Sequence, residues 1–273
     1  MWQKGINGWT FPKGTLWADA ARLAAAAGFQ SIEPILEAEG ELTPATCEAD
    51  CRRIGDGIRE AGLGVASLAT GLFWETSYTA ADESVRHQAL ELTRAALQRA
   101  SWLGAPVLLV LPGLVSHPRN PAKQLVGYGE ALKLADEALR ELRHDAEAWG
   151  VSLAVENVWS QFLISPVEMC EFLDRINSPW VGAYLDVGNV LRYGFPQDWI
   201  DTLARRIMRV HLKDFKVEVG NRTGFCPLGE GDVDWAEVNK ALTRQGYNGP
   251  LIYEGKGELT AITAVVDRIM GTM

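Results

Sequence analysis

Cysteine is scarce in this sequence, and the few cysteines present form no recognisable pattern. The chain of 273 residues has four, Cys47, Cys51, Cys170 and Cys226. They are too few and too scattered for a disulfide framework in a chain of this length. Cys47 and Cys51 are one turn apart on a predicted helix and could share a metal ion, but packed thiols are the favoured interpretation. A chain this long can instead build one large hydrophobic core.

Positive charge and long apolar runs are also lacking. The 35 acidic residues outnumber the 26 basic ones, which gives a net charge of -9. An acidic surface repels phosphate backbones and anionic membranes, so neither nucleic acid nor a membrane is an expected partner. No apolar stretch reaches membrane-spanning length, and the first residues, MWQKGINGWTF, lack the features of a secretion signal. We expect a cytoplasmic protein that acts on small molecules.

A glycine-rich phosphate turn is missing as well. An open, doubly wound α/β sheet usually carries this turn after its first strand, whereas the first predicted strand here runs into GWTFPKG. No change of composition and no linker rich in Pro, Gly or Ser divides the chain. These absences disfavour the open sheet and predict one domain that spans residues 1–273.

What the sequence does contain is a regular alternation of short apolar runs and longer amphipathic segments. This alternation is typical of βα units around a parallel sheet. Eight units predict closure into a (β/α)₈ barrel, for which 273 residues is an ordinary length. The strands are predicted at Lys4–Gly8, Ser31–Ile35, Gly64–Leu68, Val107–Leu111, Val151–Glu156, Val181–Asp186, Arg209–Leu212 and Leu251–Glu254.

Four consecutive predicted strands present a side chain that can bind a metal: Glu156 in VSLAVEN, Asp186 in VGAYLDVGN, His211 in MRVHLKD and Glu254 in PLIYEGKG. The active site of a barrel lies at these strand ends. One acidic residue there is more often a helix cap, but three carboxylates in one mouth repel each other unless a cation is present. Three oxygen ligands and one imidazole suit a single divalent ion, with Mn²⁺ first and Co²⁺, Mg²⁺ or Zn²⁺ as alternatives.

The same stretches resemble a known family. LAVENVW, VGAYLDVGNV, RVHLKDFK and GEGDVDW are similar to the sugar-phosphate isomerase/epimerase family of xylose-isomerase-like barrels, especially to ketose 3-epimerases and L-ribulose-5-phosphate 3-epimerase. The resemblance implies an isomerase that acts on a small sugar or sugar phosphate, as a homodimer or homotetramer. It places Glu156, Asp186, His211 and Glu254 on the family's metal ligands. Glu156 and Glu254 also fall on its acid/base pair.

The implied reaction is 3-epimerisation of a ketose or ketose phosphate through a cis-enediolate. The metal would withdraw charge from the carbonyl, while glutamates on opposite faces of C3 remove and return a proton. An inosose-type dehydratase would use the same metal site and is the first alternative. A non-catalytic sugar-binding barrel should have lost a ligand, and none is lost. An apurinic endonuclease of this superfamily would need more than the four histidines present.

Further residues are candidates for binding the substrate. Lys213 follows His211 by two residues and could face the same mouth, although a salt bridge in a loop explains it equally well. In the resemblance, Arg222 falls on a substrate-binding arginine, and Asn189 replaces a histidine of several sugar epimerases, which leaves the sugar open. Glu33 ends the second strand, where a helix cap or ion pair is the simpler role.

Aromatic and histidine side chains complete the set of candidates. Trp9 and Trp74 lie in predicted mouth loops, where their faces could wall in a sugar. The other histidines, His87, His117 and His144, are assigned to surface or structural roles.

Overall fold

A curled sheet of parallel strands forms the centre of the molecule. The computed structural model describes residues 2–271. Within that range, eight parallel strands belong to one sheet, and they overlap the eight apolar runs of the sequence. They are β1 (Lys4–Asn7), β2 (Ser31–Glu33), β3 (Gly64–Val65), β4 (Val107–Val110), β5 (Ser152–Glu156), β6 (Val181–Asp186), β7 (Ile207–Leu212) and β8 (Leu251–Tyr253).

The sheet closes on itself. Strand β1 pairs with both β2 and β8, and the full order is β3-β2-β1-β8-β7-β6-β5-β4. A parallel bridge between Leu68, just beyond β3, and Leu108 of β4 joins the two remaining edges. The predicted (β/α)₈ barrel is confirmed, and the open sheet is excluded.

Strand β3 is shorter than the predicted Gly64–Leu68 because its hydrogen bonds change partner. The Ala66 amide donates to the Ile32 carbonyl of β2 at 2.8 Å, whereas the Leu68 amide donates to the Val107 carbonyl at the start of β4, also at 2.8 Å. The segment therefore crosses the seam of the barrel, and only its first two residues form a regular strand.

Helices surround the barrel and cover its strands. Val107–Val110 are buried, as expected for a parallel strand covered by helices. The helices Glu83–Leu103 and Tyr128–Trp149 end at Gly104 (φ 85°) and Gly150 (φ 64°), in the left-handed conformation that glycine adopts at low cost. In the described range, no helix is long and apolar enough to cross a membrane. The helices are α1 (Trp17–Ala26), α2 (Glu48–Glu60), α3 (Glu83–Leu103), α4 (Tyr128–Trp149), α5 (Pro166–Ile176), α6 (Val187–Val190), α7 (Pro196–Leu203), α8 (Trp235–Arg244) and α9 (Leu259–Met270).

Long loops rise from the C-terminal ends of β4 and β7. The first carries an antiparallel ribbon of Ser116–His117 with Asn120–Gln124, and the second pairs Asp214–Phe215 with Phe225–Cys226. Asp214 is buried and anchors the second loop. Its carboxylate accepts from the amides of Phe215 (2.9 Å), Gly229 (2.8 Å) and Val233 (3.3 Å) and from the Trp235 indole (3.3 Å).

The cysteines do not cross-link the fold. All four lie in the described range and carry free thiols. The Cys47 thiol donates to Asp50 at 3.2 Å, and Cys51 is buried in the core. Cys51 is packed as expected, whereas Cys47 is exposed, and the four thiols form no disulfide framework.

Candidate metal centre

The four predicted metal ligands converge at the barrel mouth. Glu156 and Asp186 end β5 and β6, His211 lies in β7, and Glu254 directly follows β8. One ligand atom of each can be chosen so that all four lie within 4.8 Å of one another. Parallel pairing produces this convergence, since His211 lies in register with Asp186 on one side and with Ile252 on the other.

Three buried atoms of this cluster have no partner in hydrogen-bond geometry among the described residues, although Lys213 forms ion pairs with the two oxygens: His211 Nδ1, Asp186 Oδ2 and Glu254 Oε2. His211 Nδ1 lies 3.2 Å from Glu254 Oε2 and 3.7 Å from Glu156 Oε1. The other oxygen of Asp186 accepts from the Asn189 amide at 2.8 Å, which orients the carboxylate. Buried polar atoms normally have hydrogen-bond partners, so these residues fit a divalent cation bound between them.

Lys213 belongs to the mouth, where it balances part of the negative charge. Its Nζ lies 3.0 Å from Asp186 Oδ2 and 2.6 Å from Glu254 Oε2. Burial alone would lower the pKa of Lys213, but the charges of Asp186, Glu254 and Glu156 raise it well above its ordinary value. The side chain is therefore a permanent cation beside the cluster.

The two glutamates differ in their electrostatic surroundings. Burial raises the pKa of the Glu156 carboxyl to about 7, and the charges of Glu254 and Asp186 act in the same direction. Burial would also raise the pKa of Glu254, but Lys213 and His211 outweigh it and hold that pKa well below its ordinary range. Two carboxyls at one mouth thus have different proton affinities, the division that acid/base chemistry uses.

Glu33 lies beneath this mouth and away from the space that a substrate could enter. Its side chain is fully buried, accepts hydrogen bonds from Asn7, Ser67 and Tyr184, and has its Oε1 2.8 Å from His211 Nε2. Burial alone would raise the pKa of Glu33, but the charge of His211 and these hydrogen bonds lower it. The expectation that Glu33 contacts substrate hydroxyls does not fit this placement.

Above the cluster lies a cavity of about 390 Å³, with Glu156 and Glu254 in its wall. This volume lies within the usual range of small-molecule sites. Asp186 and His211 lie deeper and do not line it. The structure places the other substrate-binding candidates in the wall of this one cavity: Trp9, Trp74, Asn189, Lys213 and Arg222.

Further side chains complete the wall, and two of them, His117 and Arg119, were not substrate-binding candidates in the sequence. Trp159 donates its indole N–H to the Asn189 carbonyl at 2.9 Å and stacks on Phe225 with 4.9 Å between ring centroids. His117, assigned to a surface or structural role, lies edge-on against Trp74 at 5.4 Å between centroids. Arg119 follows in the same ribbon and also lines the cavity.

The chain belongs to the xylose isomerase-like TIM barrel family, whose model matches residues 21–268. A relative, the L-ribulose-5-phosphate 3-epimerase UlaE of Shigella flexneri serotype 5b (strain 8401), is 27% identical over 261 residues, which cover 92% of this chain and 86% of the relative. The family resemblance inferred from the sequence is confirmed.

Solved structures of sugar epimerases share the fold of this chain. A structure of an L-ribulose 3-epimerase matches with a TM-score of 0.80 at 21% identity, covering 100% of this chain and 95% of that chain. A D-psicose 3-epimerase crystallised in the presence of D-fructose matches with a TM-score of 0.77 at 17% identity, covering 96% and 89%. At these identities the match describes the architecture.

Proposed function

We propose that this protein is a metal-dependent sugar 3-epimerase that inverts C3 of a ketose or ketose phosphate. The observation that carries the proposal is the convergence of Glu156, Asp186, His211 and Glu254 below a sugar-sized cavity, where one ligand atom of each lies within 4.8 Å of the others. Membership of the xylose isomerase-like family and the names of the relatives support it.

One divalent cation would be held by these four residues, with Mn²⁺ first and Co²⁺, Mg²⁺ or Zn²⁺ as alternatives. When bound, it supplies positive charge that makes the C–H bond beside the sugar's carbonyl more acidic. A carboxylate is otherwise a weak base toward carbon, so the glutamates alone would be slow.

Glu156 and Glu254 would move the proton. Glu156 ends β5 and Glu254 follows β8, and these strands are separated in the barrel by β6 and β7. Their carboxylates therefore approach a bound sugar from different directions. One glutamate removes the C3 proton and the other returns a proton to the opposite face. Inversion at C3 follows from this division of work.

The remaining cavity residues would bind the sugar. Trp9 and Trp74 offer apolar faces, while Asn189 and Lys213 lie beside the metal ligands. Arg222 lines the open part of the cavity, where a guanidinium suits hydroxyls or a phosphate oxygen. Both substrate classes are therefore candidates, and the experiment includes both.

The test is a panel of free and phosphorylated ketoses and inososes, incubated with the protein and Mn²⁺ in D₂O and followed by NMR. We expect a C3 epimer that carries deuterium at C3, since the proton passes through exchangeable carboxyl groups. Loss of a hydroxyl with formation of a new ketone would replace the proposal by the dehydratase alternative. Inversion without solvent deuterium would contradict the two-glutamate mechanism.

A further inference from the structure

The buried side of His211 is held by a carboxylate from the first half of the chain. Glu33, at the end of β2, is 0% exposed, and its Oε1 lies 2.8 Å from His211 Nε2. The other ring nitrogen, Nδ1, faces Glu254 and Glu156. The two nitrogens of His211 therefore have separate surroundings, one below the mouth and one inside it.

Donors from three other parts of the barrel, Asn7, Ser67 and Tyr184, fix both oxygens of Glu33. Its Oε2 accepts from Ser67 Oγ at 2.5 Å and from the Tyr184 hydroxyl at 2.6 Å. Its Oε1 accepts from Asn7 Nδ2 at 2.5 Å. The Asn7 amide cannot be reversed without loss, because its Oδ1 already accepts from the Trp9 amide at 2.7 Å. The position of the Glu33 carboxylate is thus determined from several sides.

The geometry points to Glu33 as a positioning residue that keeps a proton on His211 Nε2 and leaves Nδ1 directed at the metal centre. The inference rests on the proposed function, because it assigns this role relative to a bound metal. An ionised carboxylate only accepts hydrogen bonds, so the ring nitrogen beside it must donate. Histidine ligands are commonly oriented by such a hydrogen bond from the nitrogen that does not bind the metal.

Packing reinforces the hydrogen bond. The ring of Tyr184 lies against the ring of His211 with 4.4 Å between centroids, and both side chains are fully buried. Tyr184 also donates a hydrogen bond to Glu33. Tyr184 therefore restricts the imidazole of His211 and also orients the Glu33 carboxylate beside it. A rotation of the imidazole would break both arrangements.

The first measurement is metal affinity. Glu33→Gln keeps the shape of the side chain but replaces one acceptor by a donor, so it weakens the preference for Nε2–H. We expect Mn²⁺ binding, measured by competition with a chelating dye, to weaken by about 10- to 100-fold, as for other groups that orient metal ligands. Glu37→Gln is the matched control, because Glu37 lies four residues after Glu33 in the loop that follows β2 and lines a different cavity. Its affinity should stay within about twofold of the parent.

The second measurement needs no metal. Of the four histidines, all in the described range, His211 is the one that is fully buried. In protein labelled with ¹⁵N-histidine, we expect one slowly exchanging ring N–H with a strongly downfield proton, which is lost or shifted in Glu33→Gln. A purely structural role for Glu33 elsewhere in the core would not produce this signature.

The outcomes separate the two proposals. A folded Glu33→Gln variant with parental Mn²⁺ affinity and an unshifted resonance overturns the role of Glu33. So does a parent protein that lacks the resonance, even if the variant fails to fold. A parent that binds no Mn²⁺ contradicts the proposed metal centre, whereas the metal-free spectrum still decides whether Glu33 holds the Nε2 proton.

Discussion

The ammonium of Lys213 faces the same carboxylate oxygens that a bound cation would use. It lies within 3.0 Å of Asp186 Oδ2 and 2.6 Å of Glu254 Oε2. Without metal, Lys213 is the nearest compensation for these buried charges. A bound metal ion would use the same oxygens as the lysine. The contribution of Lys213 to the stability of the fold therefore depends on whether the metal is bound.

Lys213→Met should therefore destabilise the metal-free protein far more than the metal-loaded protein. Removing one partner of a buried ion pair typically costs about 3 to 5 kcal/mol, because the remaining charge has no compensation. Chemical unfolding with and without saturating Mn²⁺ measures the difference, with Lys216→Met as the control outside the cavity wall. A metal-free variant as stable as the parent would show that Lys213 does not balance the cluster.

Glu156→Gln and Glu254→Gln should each lower turnover by about a hundredfold to ten-thousandfold, the usual range for a general acid or base. Both residues are also metal-ligand candidates, so metal content must be measured in the same samples. Glu60→Gln, on the exposed side of α2, is the control. Parental turnover in both site variants would remove the glutamates from the mechanism.

For individual residues, the sequence predicted which four side chains converge at the mouth, but it did not predict that Glu33 lies beside His211. Glu156, Asp186, His211 and Glu254 stand out because each is polar and follows or interrupts an apolar run. Glu33 has the same appearance in sequence, yet it lies below His211 and not in the cavity. The difference depends on which barrel layer each strand residue reaches, and that depends on strand stagger, which a single sequence does not reveal.

Among the structural elements, the loop after β7 is organised around one side chain. Asp214 accepts four hydrogen bonds, and Gly231 packs so closely that an added Cβ would lie 2.1 Å from Asp214 Oδ1. The same loop carries Arg222 and Phe225 to the cavity wall. Asp214 thus connects the order of the loop to the shape of the cavity.

Asp214→Ala should loosen residues 215–234 while the barrel stays folded. We expect amide exchange at Gly229 and Val233 to accelerate at least about tenfold, since each loses a hydrogen bond to a charged acceptor. KM should rise more than kcat falls, because Arg222 and Phe225 are in the wall and not among the metal ligands. Hydrogen-exchange mass spectrometry and steady-state kinetics measure the two effects.

Asp232→Ala is the matched control for this loop. The Asp232 carboxylate accepts one hydrogen bond across the loop, from the Val217 amide at 2.7 Å, whereas the Asp214 carboxylate accepts four. Equal effects of the two substitutions on exchange would mean that Asp214 is not the anchor.

The elements themselves were predictable because hydrophobic periodicity reports burial directly. The pairing between distant loop residues was not predictable from the sequence. His117 reaches the cavity wall because Ser116–His117 pairs with Asn120–Gln124 and folds beside Trp74, and nothing in the local pattern of HPRN indicates that contact. The length of β3 was missed for a similar reason, since its shortening reflects a change of pairing partner at the seam.

For the whole molecule, metal binding should appear as added stability. A ligand that binds only the folded protein, at a hundred times its Kd, contributes about 2.7 kcal/mol. In a chain of this size that corresponds to a rise in Tm of roughly 5 to 10 °C. Thermal unfolding with and without Mn²⁺ tests this, and the Asp186→Ala/His211→Ala double variant should show no rise. An equal rise in the double variant would place the ion elsewhere.

We also expect the protein to form an oligomer. The family resemblance implies a dimer or tetramer, and Phe195 and Val217, which are 63% and 49% exposed, line the same surface depression. Light scattering at micromolar concentration should give the molar mass of two or four chains. A monomer under those conditions would contradict this expectation.

The candidate ligands lie in the second half of the chain, whereas the support of His211, apart from Tyr184, lies in the first half. Glu156, Asp186, His211 and Glu254 all follow residue 150, whereas Asn7, Glu33 and Ser67 precede it. A chimera that joins β5 to β8 of this protein to the first four strands of a relative would keep every ligand and still inherit a foreign backing for the imidazole. Recombination between relatives is thus constrained at Asn7, Glu33 and Ser67, which are remote from the ligands in sequence. A barrel made by duplicating the second half would contain the ligands and Tyr184 but would lack Glu33.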